Sequence, residues 1–415
     1  MNDAMRGLRI AIIVKTNVGG AWVATQAATL RDRGHEPIVV LPAGPGRLTE
    51  RLHEIGVRTV PSPFSFRFRP TPATVRQLWQ LRRLLRELRP DVVNHHLYAA
   101  ALAARIASLG LGFCRVHTVV GPLFLESPVI RAVERVLCRL DHLVICGTAY
   151  TSRLYGELGL SSERRPAVTV GVDISRYRPP SHRDRERAKA RADLGLPLSG
   201  FVVIMVAFVY PPRWLGTSRR GIKGHDVLLE AWRSFRARRP DAHLLLVGGG
   251  TNRIGVAHRD ELIRRFDVTA DPSVTWLNSV EDVRPAYRAA NLSVSPSLSE
   301  GHGAPVEASA MSVPSVVSDA GGLPETVDRR SGWVVPRDDV DALAEGLEVA
   351  YREYAAGRLD TRGDHARRYA EQHFDRQRAE HRMVDLIEEA VERHATDRPR
   401  RPVAGTRRSS LETAE

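Results

Sequence analysis

The chain has 415 residues, 43% hydrophobic and 26% charged, which excludes a small single module, a disordered chain and a fibrous one and points to two domains. Its formal charge of +13 would suit a nucleic acid or an anionic surface, but of 61 basic residues all but Lys15, Lys189 and Lys223 are arginines, a bias that codon composition also produces, and no nucleic-acid recognition motif accompanies it. The three cysteines, Cys114, Cys138 and Cys146, are too few and too unevenly spaced for a disulfide framework or a zinc knuckle; they read as buried free thiols in a reducing, cytoplasmic compartment.

Short apolar runs alternate with helical patterns along the chain. Strands are expected over 10–14, 37–41, 57–60, 91–94, 115–120 and 142–146, each followed by an amphipathic stretch. Residues 64–89 combine Phe64, Phe66 and Phe68 with a helical run of Val75, Leu78, Trp79, Leu81, Leu85 and Leu88 among Arg76, Arg82, Arg83, Arg86 and Arg89. The favoured reading packs that apolar side on the first sheet; the other lays it against the inner face of an anionic membrane as a peripheral contact. A polar stretch over 177–199, rich in Pro, Arg and Asp, reads as a linker. A second alternation then begins, with strands expected over 201–209, 243–247, 274–277, 292–295, 315–318 and 333–335. The apolar run 201–210 is about half the length a bilayer crossing needs, and the chain start turns polar after Val14, so neither a membrane span nor a secretory signal is expected.

Regular strand and helix alternation in both halves implies α/β architecture, with two Rossmann-like, doubly wound domains facing a central cleft. The expected boundaries are 1–176 for the first, 177–199 for the linker, 200–394 for the second with its closing helices, and 395–415 for a flexible tail.

The most informative segment runs from Ser295 through Glu300-Gly301-His302-Gly303-Ala304-Pro305-Val306-Glu307, followed by Gly321-Gly322-Leu323-Pro324-Glu325. It reads as strand, glycine loop and helix start. Glycines at 301 and 303 allow positive φ and let backbone amides face a ligand, while the helix start directs its positive end to the same place, which suits a phosphate. Glu300 and Glu307 bracket the loop, and a carboxylate suits vicinal hydroxyls of a sugar or ribose because it accepts two hydrogen bonds. Alone, Glu307 would equally serve the helix dipole.

With these residues, the chain resembles the retaining GT-B glycosyltransferases, whose C-terminal half is the group 1 glycosyltransferase domain. The resemblance extends over nearly the whole chain. It includes Gly19-Gly20, Arg33-Gly34-His35-Glu36, Asp91-Val92-Val93-Asn94-His95-His96, Tyr150-Thr151, Gly171-Val172-Asp173 with Pro179, Lys223-Gly224 and Leu246-Val247-Gly248. It implies transfer of a hexose from a nucleotide-diphosphate sugar, with retention at the anomeric carbon, no metal and no other cofactor, the second unit holding the donor and the first the acceptor. A front-face mechanism, with the donor phosphate assisting proton removal, belongs to the same implication. By the resemblance Lys223 neutralises the departing diphosphate, Glu300 with the amides of Gly301, His302, Gly303 and Ala304 meets the hexose, and Glu307 holds the ribose. Gly248 joins the donor side, while Gly19 and Gly20 approach the phosphates from across the cleft. An acceptor that is a small molecule or lipid-linked, in cell-surface glycan or glycoconjugate synthesis, would follow.

Three positions depart from the family pattern. Six residues separate Glu300 from Glu307, where the family usually has seven, as in a variant branch. The arginine common after the first strand of the second unit is replaced by Ala207-Phe208; Arg213, Arg219 and Arg220 could substitute, with Arg220 favoured for its closeness to Lys223. The histidine often found before a glycine in the first unit falls at Val120, leaving His95, His96 and His117 as candidates for the acceptor side.

Asp339-Val340-Asp341 has the spacing of a metal-binding aspartate pair, but its position reads as a helix start. A nicotinamide dehydrogenase is disfavoured because neither unit opens with a Gly-x-Gly-x-x-Gly turn, and a pyridoxal phosphate enzyme because Lys223 already has another role. The remaining alternatives are a nucleotide-sugar epimerase on the same fold and a non-catalytic nucleotide-sugar or partner-binding protein.

Overall fold

In each half of the chain, short runs of β-branched and aliphatic residues form strands, and helices with one apolar face return over the sheet. The computed structural model describes residues 7–212 and 220–396. The first unit runs β1 (Arg9–Val14), α1 (Ala21–Asp32), β2 (Glu36–Leu41), α2 (Arg47–Glu54), β3 (Arg58–Pro61), α3 (Pro72–Leu88) and β4 (Val92–His96). It continues with α4 (Tyr98–Ser108), β5 (Cys114–Val119), α5 (Pro128–Leu137), β6 (Leu143–Cys146) and α6 (Ala149–Glu157). Helix α7 (Arg183–Asp193) then leads into β7 (Phe201–Val206), α8 (His225–Arg238), β8 (Ala242–Val247), α9 (Arg253–Arg265), β9 (Val274–Leu277) and α10 (Arg284–Ala289). The described residues end with β10 (Leu292–Ser295), α11 (Ala304–Ala310), β11 (Ser315–Ser318), β12 (Gly332–Val335), α12 (Val340–Ala355), α13 (Leu359–His373) and α14 (Arg376–Thr396).

The strands form two six-stranded parallel sheets, ordered β3-β2-β1-β4-β5-β6 and β12-β11-β10-β7-β8-β9. Each order reverses beside the first strand of its unit, so a crevice opens at the carboxyl ends of β1 and β4 in one sheet and of β7 and β10 in the other. The expected class, two Rossmann-like units, is the observed one. The strand expected over 201–209 is shorter than anticipated: continuous pairing stops at Val206, leaving a single bridge from Val209 to Gly250. The two chains stay close beyond that point, since the Ala207 N–H donates to the Val247 carbonyl at 3.0 Å and a Cβ on Gly248 would lie 2.0 Å from the Ala207 carbonyl oxygen.

The polar stretch 177–199 contains α7, which belongs physically to the second unit. Its buried Arg191 donates to the Ala289 carbonyl at 2.9 Å and to Asn291 Oδ1 at 2.7 Å. Asp339 caps α12 by accepting from the Ala342 N–H at 2.8 Å. Cys114, Cys138 and Cys146 are buried free thiols.

The last helix corrects an expectation. Rather than closing the second unit, α14 crosses back and covers the first sheet with Ala379, Met383, Val384, Ile387 and Ala390, in one core with Ile10, Ile12 and Ile145. Arg33 pairs with Asp385 and Glu388 to hold the crossing. An apolar stripe announces that a helix must be covered, not which of two similar sheets will cover it. Of the expected tail, Ala395 and Thr396 end α14; residues 397–415 lie outside the described residues.

Glu380 on this helix is 1% exposed, and both carboxylate oxygens lack a hydrogen-bond partner among the described residues. Burial pushes its pKa up to about 8, against the pull of Arg376. The native carboxyl therefore holds a proton that the unfolded chain releases near its ordinary pKa, so stability declines from about pH 4.5 to about 8. Glu380→Gln is expected to stabilise the protein by roughly 5 kcal/mol at pH 8.5 and by almost nothing at pH 4.5. Denaturant unfolding of both proteins at the two pH values checks this; equal gains at both would reject burial of the acid as the cause.

Phe64, Phe66, Leu81, Leu85 and Leu88 are buried beneath α3, as the packed reading of 64–89 requires. Trp79 is 64% exposed and Val75 56% exposed, however, beside the exposed Arg69 and Arg76. No helix among the described residues is long and apolar enough to cross a membrane.

Candidate active site

The loops leaving the carboxyl ends of both sheets enclose a cavity of about 650 Å³. Gly20 and Trp22 follow β1, Val120 follows β5, and Gly147 follows β6; Ala207 and Phe208 follow β7, Gly248 follows β8, and 297–304 follow β10. Lys223, Glu300, Gly301, His302, Gly303, Ala304 and Glu307 all line it. Residues far apart in sequence meet here because a doubly wound fold delivers every strand end to one face of its sheet.

Gly303, at φ 61, turns the chain into α11. Gly301 serves a different purpose from the expected one: its φ is not positive, and a Cβ there would lie 2.7 Å from the Val120 carbonyl oxygen. The glycine therefore permits the two units to touch backbone to backbone. Lys223 Nζ donates to Glu300 Oε2, while Glu300 Oε1 accepts from the Gly301 N–H at 3.1 Å. This pair places a cation and a carboxylate side by side on the cavity wall, each able to exchange its partner for a ligand group.

Glu307 accepts from the hydroxyls of Tyr177 at 3.2 Å and Tyr287 at 3.3 Å. Burial raises its pKa, opposed by those two hydroxyls and by Arg376. Tyr287 also donates to the Ala304 carbonyl at 3.2 Å, which ties α10 to the start of α11.

His302 is positioned from both units. Its Nδ1 lies 3.1 Å from Thr169 Oγ1, and its Nε2 lies 3.3 Å from Glu325 Oε2. The Glu325 carboxylate also accepts from the N–H groups of Ala149 at 2.9 Å and Tyr150 at 2.7 Å, at the start of α6. Burial works to raise the Glu325 pKa, but His302 and these N–H groups outweigh it and hold it below the usual range. This carboxylate from the second unit thus fills the anion position at a helix start in the first.

Several expected site residues lie elsewhere. Arg220 is not on the cavity wall: it pairs with Glu230 at 2.8 Å and Asp338 at 2.9 Å, carboxylates near enough in the fold to capture it. Arg213 and Arg219 lie outside the described residues. Gly19 is exposed in the loop before α1, one residue short of the lining.

His95, His96 and His117 are fully buried within the first unit and do not line the cavity. His95 Nε2 lies 3.1 Å from Asp141, and His117 Nδ1 lies 3.2 Å from Arg105. Burial holds all three histidines below their ordinary pKa, His96 at about 3. His95 and His96 close β4 and His117 lies within β5, and all three side chains are buried between sheet and helices, which corrects their assignment to the acceptor side. His96 is linked to the cavity indirectly: Trp22 Nε1 donates to its Nδ1 at 3.3 Å, while its Nε2 meets Gln26 at 2.9 Å.

The cavity also contains residues that pattern reading missed. Trp22 and Arg47 come from the first unit, and Arg376 from the crossing helix. Trp22 stands in the first turn of α1 just after Gly19-Gly20, so its place was readable; Arg376 and the tyrosines on Glu307 had no motif to announce them.

Comparisons with known proteins bear on the family and the fold. A sequence profile described as "Glycosyl transferases group 1" matches residues 213–353, and one described as "Glycosyltransferase Family 4" matches residues 19–176. A D-inositol 3-phosphate glycosyltransferase of Saccharomonospora viridis is 31% identical over 322 residues, 72% of this chain and 70% of that protein. Its counterpart from Corynebacterium kroppenstedtii is 33% identical over 248 residues, 57% of this chain and 52% of that one. The chain spans about half the length of the first such relatives it matches, at 52%, 49% and 51%. Among solved structures, a glycosyltransferase from Rickettsia africae ESF-5 has TM-score 0.76 and 17% identity over 93% of this chain and 99% of that one. Anabaena Alr3699/HepE in complex with UDP-glucose has TM-score 0.75 and 21% identity over 92% of this chain and 100% of that one.

Proposed function

The chain belongs to the group 1, family 4 glycosyltransferases, and on that premise we propose that it moves a hexose from a nucleotide-diphosphate sugar to an acceptor, with retention at the anomeric carbon and without a metal. The observation carrying this reading is the convergence of Lys223, Glu300 and Glu307 with the backbone of 301–304 on one cavity between the units. Breaking the sugar-phosphate bond develops negative charge on the leaving oxygen, and a preorganised cation beside backbone N–H groups is where stabilisation is largest. Glu307, steadied by two tyrosine hydroxyls, offers its oxygens to vicinal ribose hydroxyls, and Glu300, once Lys223 turns to the diphosphate, offers its own to the hexose. The UDP and UDP-glucose held in the HepE complexes support uracil as the donor base. We read the six-residue spacing between Glu300 and Glu307 as that of a variant branch with a tighter donor loop.

The acceptor we place on the first unit, carried at an anionic membrane surface during glycan or glycoconjugate synthesis. Support for that comes from the exposed Trp79 and Val75 beside Arg69 and Arg76, a combination suited to the interface of an acidic bilayer. The buried free thiols support a reducing, cytoplasmic setting.

Calorimetric titration with UDP, GDP, ADP and dTDP sugars, with a chelator present, tests the donor site. Saturable binding of one nucleotide class is expected, weakened about tenfold or more in Glu307→Ala because hydrogen bonds to a charged group are lost. Absence of binding, or binding only when metal is restored, would overturn the reading. Labelled sugar should then move to a membrane-lipid extract; turnover to an altered free sugar without any acceptor would replace transfer with epimerisation.

A further inference from the structure

The two units are joined by two chain crossings that are hydrogen-bonded to each other. The Val172 N–H donates to the Phe374 carbonyl at 2.8 Å, and the Arg376 N–H donates to the Val172 carbonyl at 3.1 Å. Phe374 and Val172 pack with Val306 and Ala310 of α11 beneath this joint. A Cβ on Gly171, at φ 64, would sit 2.8 Å from the Arg376 backbone, so the crossings are in close contact.

Arg376 is the first residue of α14 and lines the cavity from this joint. Its Nε is buried without a hydrogen-bond partner among the described residues. The carboxylates it feels are those of Glu307, Asp173 and Glu380, none of them within ion-pair distance in the described set. Lys223, by contrast, is already engaged by Glu300, and the position after β7, where a second cation would be expected, is occupied by Phe208. A guanidinium with an unmet buried donor, facing a cavity, calls for an anion with several oxygens.

We propose that Arg376 is a donor-binding residue whose guanidinium, supplied from the crossing helix, pairs with the diphosphate of the nucleotide sugar and adds a cation to Lys223 and Arg47 on the cavity wall. The inference rests on the donor reading above. Its geometric consequence is that a bound donor spans the joint, because Glu307 and Lys223 stand on the second unit whereas α14 is fastened over the first sheet. The diphosphate, not the base or ribose, is the part of the ligand that Arg376 senses.

The test is calorimetric titration of the full chain and its Arg376→Gln and Arg376→Lys variants with UDP and uridine, and likewise with the diphosphate and nucleoside of guanine, adenine and thymine. For the base that binds, Arg376→Gln is expected to weaken the diphosphate about 10- to 100-fold, leave the nucleoside within about twofold, and be partly rescued by Arg376→Lys. Thermal unfolding of each variant verifies that the fold persists, which the backbone bond from residue 376 to Val172 favours because it needs no side chain. Equal weakening of diphosphate and nucleoside, or no weakening of either, would overturn the inference while leaving the proposed function standing. A wild-type chain that binds none of the four diphosphates would overturn both.

Discussion

Lys223→Ala is expected to lower turnover about 10²- to 10³-fold, the loss typical of removing one preorganised charge-stabilising group, with little change in the unfolding midpoint. The lysine stands on the loop before α8, where Gly224, at φ 70, packs against the Pro296 carbonyl and so brings the α8 start up to the end of β10. Its pairing with Glu300 is partly exposed, with side-chain accessibilities of 17% and 19%, so the pair contributes little to folding. The Glu300 carboxylate occupies the ammonium that, on the proposed function, a diphosphate would take. The effect should therefore fall mainly on kcat, where charge builds on the leaving oxygen, and less on donor affinity. Lys223→Arg should recover part of the rate, since charge is retained but its placement is altered. Single-turnover transfer of labelled donor sugar measures this; near-normal rates in Lys223→Ala would remove the residue from the site.

The other large effect concerns stability. Arg105 on α4 is fully buried, with Nη1 and Nη2 donating to the two oxygens of Glu134 at 2.7 and 2.8 Å and Nε and Nη2 to one oxygen of Asp141 at 2.9 and 2.6 Å. Tyr155 adds a hydroxyl donated to Glu134 at 2.9 Å. Burial works against the charges of both Arg105 and Asp141, yet their proximity keeps the arginine pKa above and the aspartate pKa below the usual range. Arg105→Ala would strand two buried carboxylates, and the expected cost is about 3–5 kcal/mol. A triple variant, Arg105→Met with Glu134→Gln and Asp141→Asn, should regain most of that loss because no buried charge then stands unpaired. Denaturant midpoints of the two variants decide the matter. A triple variant as unstable as Arg105→Ala would show that packing, not stranded charge, is what the arginine provides.

The buried network also explains why the histidines misled. His95, His96 and His117 stand in strands whose sequence neighbourhood resembles a functional one, but a strand end alone does not reveal whether a side chain faces the crevice or the layer behind it. Arg105, Glu134 and Asp141 come from separate elements, and no spacing predicts their meeting. The same limit applied to Arg220, which is taken up by Glu230 and Asp338, and to Arg376, which enters the cavity only because α14 crosses back to the first unit.

What the sequence alone determined was the local and periodic content. Apolar runs such as 274–277 and 292–295 coincide with β9 and β10, because strand formation follows from side chains within a few residues of one another. The strand, glycine loop and helix start around Glu300 to Glu307 were likewise local, and so was the order of motifs that identified the family. Only the tertiary structure decided which sheet α14 covers, which cations face the cavity, and that Gly301 is small for the sake of the Val120 carbonyl across the cleft. Those outcomes depend on contacts between residues tens to hundreds of positions apart, and similar apolar faces and abundant arginines leave many such pairings equivalent until the chain has folded.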